Sequence, residues 1–194
     1  MRRIRALQLL CCAALASAAA AETPDQTRID QSKAVVQEFF GTLKGELETA
    51  MKAGGPINAI QVCNEVAPGI AKDLSEKHGM HVARTSLKTR NPANAPDAWE
   101  TEVLKKFEER KAAGEDPDTL SFNAIVEQDG KREFRFMKAI IMPPDAKMPC
   151  LKCHGENLDP KVAAKLDALY PHDQARGYKA GDVRGAFTVR QPMQ

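Results

Sequence analysis

Two cysteines three residues apart with a histidine directly behind them, Cys150-Leu151-Lys152-Cys153-His154, form a C-x-x-C-H sequence. That spacing is the attachment site of c-type haem. Residues three apart on a helical turn face the same way, so both sulfurs can reach the vinyl groups of one porphyrin and close thioethers. His154 is then turned toward the iron and serves as its proximal ligand through imidazole. Other uses of these residues compete. A zinc site drawing on Cys63, Cys150, Cys153 and a histidine lacks the second C-x-x-C pair that zinc ribbons carry. A thioredoxin-like redox pair normally follows a strand in a βαβ unit near the N-terminal end. This pair comes late, behind the proline-rich stretch MPPDAKMP. A Cys150–Cys153 disulfide closes a strained small ring and leaves His154 without a role.

A second axial ligand can come from Cys63, Met51, Met80, Met137, Met142, Met148, His78, His81 or His172. Methionine on a helix or strand is usually core filler, and Cys63 on an apolar helix face reads equally well as a small buried hydrophobe. Its helical phase with Ile60, Ala67 and Ile70 predicts a sulfur pointing into the core. Arg84, Lys88 and Arg90 form one basic loop that suits carboxylates such as haem propionates, with a solvated charged face as the rival. Tyr170 and Tyr178 carry the same pair of readings, with packing as the rival.

The start of the chain reads as an address. MRRIR is a positive n-region, Ala6 to Ala16 an apolar h-region, and SAAAAE offers small residues for cleavage near Ala21. The h-region is short for a membrane span, and residues 1–21 are read as a signal peptide with residues 22–194 as one domain. Export to the periplasm then follows. Of five cysteines, Cys11 and Cys12 leave with the leader. Cys63, Cys150 and Cys153 remain, an odd number for a disulfide framework. The formal net charge of +2 includes Arg2, Arg3 and Arg5. Without them acids and bases nearly balance, which excludes a broad basic face for nucleic acid.

The elements that must hold these residues are legible from periodicity. Ile29, Val36, Phe40, Leu43, Leu47 and Met51 predict a long N-terminal helix, stopped by Gly54-Gly55. A second helix opens at Pro56 and ends at His78-Gly79, with a kink or break expected at Pro68, which cannot donate to the Asn64 carbonyl. HVARTSL predicts a strand. Asp97 with Glu100 makes a capping box for a helix ending near Gly114, and Asp129-Gly130 a hairpin turn between two strands, the second interrupted by Lys138. Lys161 to Tyr170 predicts a short helix, and Val183 to Arg190 a last strand. The fold class is α+β, an antiparallel sheet with helices packed on it.

The runs AIQVCNEVAPGIA, ARTSLKTRNPANAPDAWE, CLKCHG and YPHDQARGYKAGDVRGAF resemble a family of exported single-haem proteins with a PAS-like fold. The resemblance spans nearly the whole chain after the leader, and the RTSLKTRNPAN run is far more specific than C-x-x-C-H. It implies a central antiparallel sheet, one haem c held covalently by Cys150 and Cys153, His154 as one axial ligand, and Cys63 as the other. A thiolate ligand favours ferric iron. The function expected from such ligation is a periplasmic mono-haem cytochrome acting as a redox or gas sensor, with Cys63 released on reduction so that a diatomic gas can bind. The alternative is a low-potential electron-transfer cytochrome c. No acid–base pair or nucleophile constellation points to an enzyme. The chain has no room for an output module, so a sensor would act through a separate redox or signalling partner.

Overall fold

The computed structural model describes residues 25–128, 130–144 and 149–193. The segment expected to be a leader, with Cys11 and Cys12, Asp129 of the expected hairpin turn, and Met148 therefore lie outside the described residues.

Helix α1 (Gln26–Gln61) begins where the Asp25 carboxylate accepts the Thr27 N–H at 2.9 Å. It breaks where the glycines predict: Gly54 and Gly55 leave helical geometry, Gly55 with φ of 68°, before Pro56 reopens the helix. A side chain at that φ would be strained, which is why a glycine serves here. The buried stripe of the first segment runs through Val35, Val36, Phe39 and Leu43. Phe40, expected on that stripe, is instead 46% exposed. Both phases satisfy a helical period, and the sheet beneath selects Phe39, whose ring lies 5.2 Å from that of Phe187.

The break expected at Pro68 takes a different form. Residues Val62–Val66 make a π-helical turn in which the Ala67 N–H bonds the Val62 carbonyl, and α2 (Ala67–His78) follows with Pro68 in its first turn. There the missing N–H costs nothing, because first-turn donors have no intrahelical acceptor. Such turns insert one residue into a helix and recur at functional sites. The insertion also corrects the phase of Cys63. Val62 and Ala67, five apart, share the core with Ile70 and Leu74. Cys63 is turned off that stripe and is only half-buried.

Four strands form one antiparallel sheet in the order β1-β4-β3-β2: β1 (His81–Thr85), β2 (Ser121–Gln128), β3 (Lys131–Ile141) and β4 (Val183–Pro192). The last strand of the chain thus lies between the first and third. Helix α3 (Ala98–Ala112) covers one face, with both halves of the Asp97/Glu100 capping box formed. Its Val103, Leu104 and Phe107 pack on Met137, Ala139 and Ala186. The opposite face carries Phe134, Phe136, Phe187 and Val189 against α1 and α2. Strand β3 is therefore buried on both sides. Lys138 does not interrupt it, because its ammonium reaches out to the Pro117 and Asp118 carbonyls. Two short helices, α4 (Leu151–His154) and α5 (Pro160–Leu169), complete the fold, which is the α+β class expected.

Candidate functional site

Helix α4 is a single turn that carries the cysteine pair and the histidine. The Cys153 and His154 N–H groups both bond the Cys150 carbonyl, at 3.2 and 3.0 Å. The segment after α5 is laid over this turn: the Gly177 and Tyr178 N–H groups bond the Gly155 and His154 carbonyls at 3.0 and 2.9 Å. His154 Nδ1 lies 2.8 Å from the Ala175 carbonyl. A carbonyl only accepts, so Nδ1 carries the proton and Nε2 keeps the lone pair, the arrangement that orients a metal-binding imidazole. Burial first, and then the Arg184 and Arg90 cations, hold this imidazole well below its ordinary pKa, so it is neutral at pH 7.

Arg90 ties the two segments together. Its Nη2 donates to the Cys153 carbonyl at 2.6 Å and the Ala175 carbonyl at 3.2 Å, while Nε donates to Asp173 at 3.1 Å. Asp173 also accepts from the Ala175 N–H and from Arg176. Taken alone, burial would raise the Asp173 pKa, but the hydrogen bonds from Arg90, Arg176 and Ala175 outweigh it and hold the carboxyl below its usual range. Arg90 Nη1 stands 3.5 Å from His154 Nε2, at the outer limit of a hydrogen bond.

Two adjoining cavities of about 250 and 220 Å³ open beside this turn, and Leu47, Cys63, Arg90, Cys150, His154 and Tyr170 line both. The first is walled by apolar side chains, among them Met51, Ala59, Ile60 and Leu166. The second is polar at one end, where Arg84, Arg184, Thr85, Asn91 and Asn94 meet. Cys63, Cys150, Cys153 and His154 thus line one space, the grouping that the family resemblance implies and that the helical phase of Cys63 does not. Burial pushes the Cys153 thiol up to about 11, Arg90 acting against the rise and Cys63 with it.

The other axial candidates separate. Met51 and Met142 also line the cavities. Met80 and Met137 pack into the two cores. His78 pairs with Glu38 at 2.9 Å, and His81 and His172 are exposed. The basic stretch separates too. Arg84 lies on β1 rather than in a loop and lines the polar cavity. Lys88 is exposed, donating to the Arg176 carbonyl and standing 4.6 Å over the Tyr178 ring. The sequence reading missed Asp173, Ala175 and Arg184. Their one signal was the density of charge and glycine between Tyr170 and Val183.

The family model for Tll0287-like proteins matches residues 13–192. The chain belongs to the Tll0287-like family. No curated protein matches it. Among solved structures it is similar to "Crystal structure of the cyanobacterial heme-protein Tll0287", at 19% identity and a TM-score of 0.65, over 88% of this chain and 98% of that one. At that identity the likeness concerns the fold, and the Tll0287-like fold is the one described above. Its sheet is wholly antiparallel, so the βαβ setting of a thioredoxin-like pair does not occur around Cys150 and Cys153. Among the described residues, no three His, Cys, Asp or Glu side chains cluster as a multi-ligand metal site needs.

Proposed function

We propose that this protein is an exported mono-haem c-type cytochrome that works as a redox or gas sensor. The observation that carries it is the set of donors around one cavity: two cysteines on a single helical turn, an imidazole with Nδ1–H held and Nε2 open, and a third sulfur, Cys63. The family and its haem-protein structural relative support it. The residues also suit the group by polarity, with apolar walls for a macrocycle at one end and arginines for carboxylates at the other.

Cys150 and Cys153 would hold the cofactor through thioethers, and His154 and Cys63 would be its axial ligands. Bound haem supplies a one-electron couple and a coordination position. Cys63 as a thiolate favours the oxidised form and a low potential. Once a redox partner reduced the bound group, Cys63 Sγ would take up a proton from solvent and leave it. Cys63 sits on a π-helical turn, a feature that recurs at functional sites. In this reading the protein works in the periplasm, which the leader-like residues 1–21 and the resemblance to an exported family support. The output passes to a separate redox or signalling protein.

The test is the visible spectrum of protein matured with c-haem, oxidised and reduced, with and without carbon monoxide. The expected result is covalent haem, low-spin when ferric, that binds carbon monoxide on reduction. Cys63→Ser should keep the haem attached, raise the potential and open the ferric form to added ligands. A Cys63→Ser protein with the wild-type spectrum and potential assigns Cys63 to packing and removes the sensor reading. Should the variant change as expected while the reduced wild type binds no carbon monoxide, a low-potential electron carrier becomes the function.

A further inference from the structure

Four cations line the polar cavity: Lys44, Arg84, Arg90 and Arg184. Lys44 has Glu48 at 3.6 Å and Arg90 has Asp173 at 3.1 Å. The other two have no carboxylate partner among the described residues. Arg84 stands 5.7 Å over the Phe39 ring and makes no hydrogen bond there. Arg184 donates to the Ser86 hydroxyl and the Lys88 carbonyl and lies 5.3 Å from the Tyr178 ring centroid, all neutral groups. No Asp or Glu lines this cavity among the described residues.

A guanidinium partly withdrawn from water, as Arg84 and Arg184 are, without an anion beside it loses hydration that neutral neighbours only partly replace. Two such groups facing one cavity leave it with an excess of two positive charges, matched by a ligand that brings two carboxylates. We propose that Arg84 and Arg184 are the seats of the two haem propionates, one guanidinium for each. The planar fork of arginine accepts a carboxylate in two parallel hydrogen bonds, which fixes direction as well as charge. Tyr170, buried to 6% exposure, adds a donor in the same cavity, its hydroxyl making no hydrogen bond to another described residue. The carboxylate end of the macrocycle would then lie toward β1 and the start of β4, leaving its apolar body against Leu47, Ile60 and Leu166. Arg90, the nearer arginine to the cysteine turn, is already engaged and takes no propionate.

This assignment rests on the haem reading, and the experiment separates the two. Protein matured with haem labelled with ¹³C at its propionate carboxyl carbons is titrated in the ferrous state by NMR. In the wild type both carbons should stay ionised to below about pH 4, under the range of an unpaired carboxylate. In Arg84→Gln one carbon should titrate about 1–3 pH units higher, in Arg184→Gln the other. The lysine variants keep the charge without the fork and test the same point where a Gln variant folds poorly. Each should move its own carbon by a smaller amount, and a lysine variant that moves neither counts against the seat. Protein that holds no covalent haem overturns the haem reading and this one with it. Loaded wild type whose carboxyl carbons titrate like unpaired carboxylates, or loaded Gln variants that titrate like the wild type, overturn the seat alone.

Discussion

Under α3, Arg135 is 3% exposed and fully answered: Nη1 donates to Asp97 at 2.6 Å, Nε to Glu133 at 3.2 Å, and the guanidinium lies 5.6 Å over Trp99. On the other face of the same sheet, Arg84 and Arg184 line a cavity with neutral neighbours. The helices differ in the same sense. Helix α3 is uninterrupted from its capping box to Ala112, whereas the chain over the other face is broken at Gly54-Gly55 and widened at Val62–Val66. For Arg135 the fold supplies both the anions and regular packing. Where cations have no carboxylate partner among the described residues and the helices are irregular, the proposed haem propionates would supply the anions.

Breaking this contrast at its centre gives the largest effect. Changing Cys150 and Cys153 together to alanine should abolish covalent haem, read as the loss of a haem-mass adduct on the intact chain. The next effect tests whether the one answered arginine on the cavity face is as structural as Arg135. Arg90→Ala would leave Asp173, 2% exposed, without its buried partner. A loss of about 3–5 kcal/mol is expected from denaturant unfolding. The change should fall first on amide exchange in the segment that carries Ala175, because the Cys153 and Ala175 carbonyls lose the same donor.

On the α3 face, Asp97→Ala removes a helix cap and one partner of Arg135, for a smaller loss of about 1–3 kcal/mol. That contribution has a pH signature. Burial alone would raise the Asp97 pKa, but the Glu100 N–H and Arg135 outweigh it, and the folded value lies below the ordinary one. A lowered carboxylate stabilises the fold above its unfolded pKa of about 3.9 and stops doing so as pH falls through the folded value. The difference in melting temperature between wild type and Asp97→Asn should therefore be full at pH 7 and shrink below about pH 4. Gly55→Ala should cost least, about 1 kcal/mol, from its φ of 68°. A melting temperature unchanged by it would mean that the break in α1 is not held by backbone conformation.

Features written within a few residues of each other were legible before the fold was seen. The capping box and the C-x-x-C-H turn depend on contacts three or four positions apart, set by helical geometry alone. The glycine break depends on the backbone freedom of the two glycines themselves. The joint placement of Cys63 with the cysteine turn was legible only through resemblance, since helical phase sent its sulfur to the core. The inserted residue of the π turn, which seats Val62 and Ala67 in the same core, overrode that phase.

By itself, then, the sequence determined the chemistry available: Cys150 and Cys153 with an imidazole beside them, Cys63 elsewhere in the chain, and a fold class whose strands and helices could be counted from their periods. Only the tertiary structure decided which side chains face that chemistry. Strand β4 enters the sheet between β1 and β3, and this brings Arg184 to the cavity that Arg84 lines from β1. The segment before β4 delivers the Ala175 carbonyl to His154 and Asp173 to Arg90. These partners lie 21 and 83 positions apart along the chain. No local period encodes such a meeting. It follows from burying both faces of one sheet at once, and that decision belongs to the whole chain.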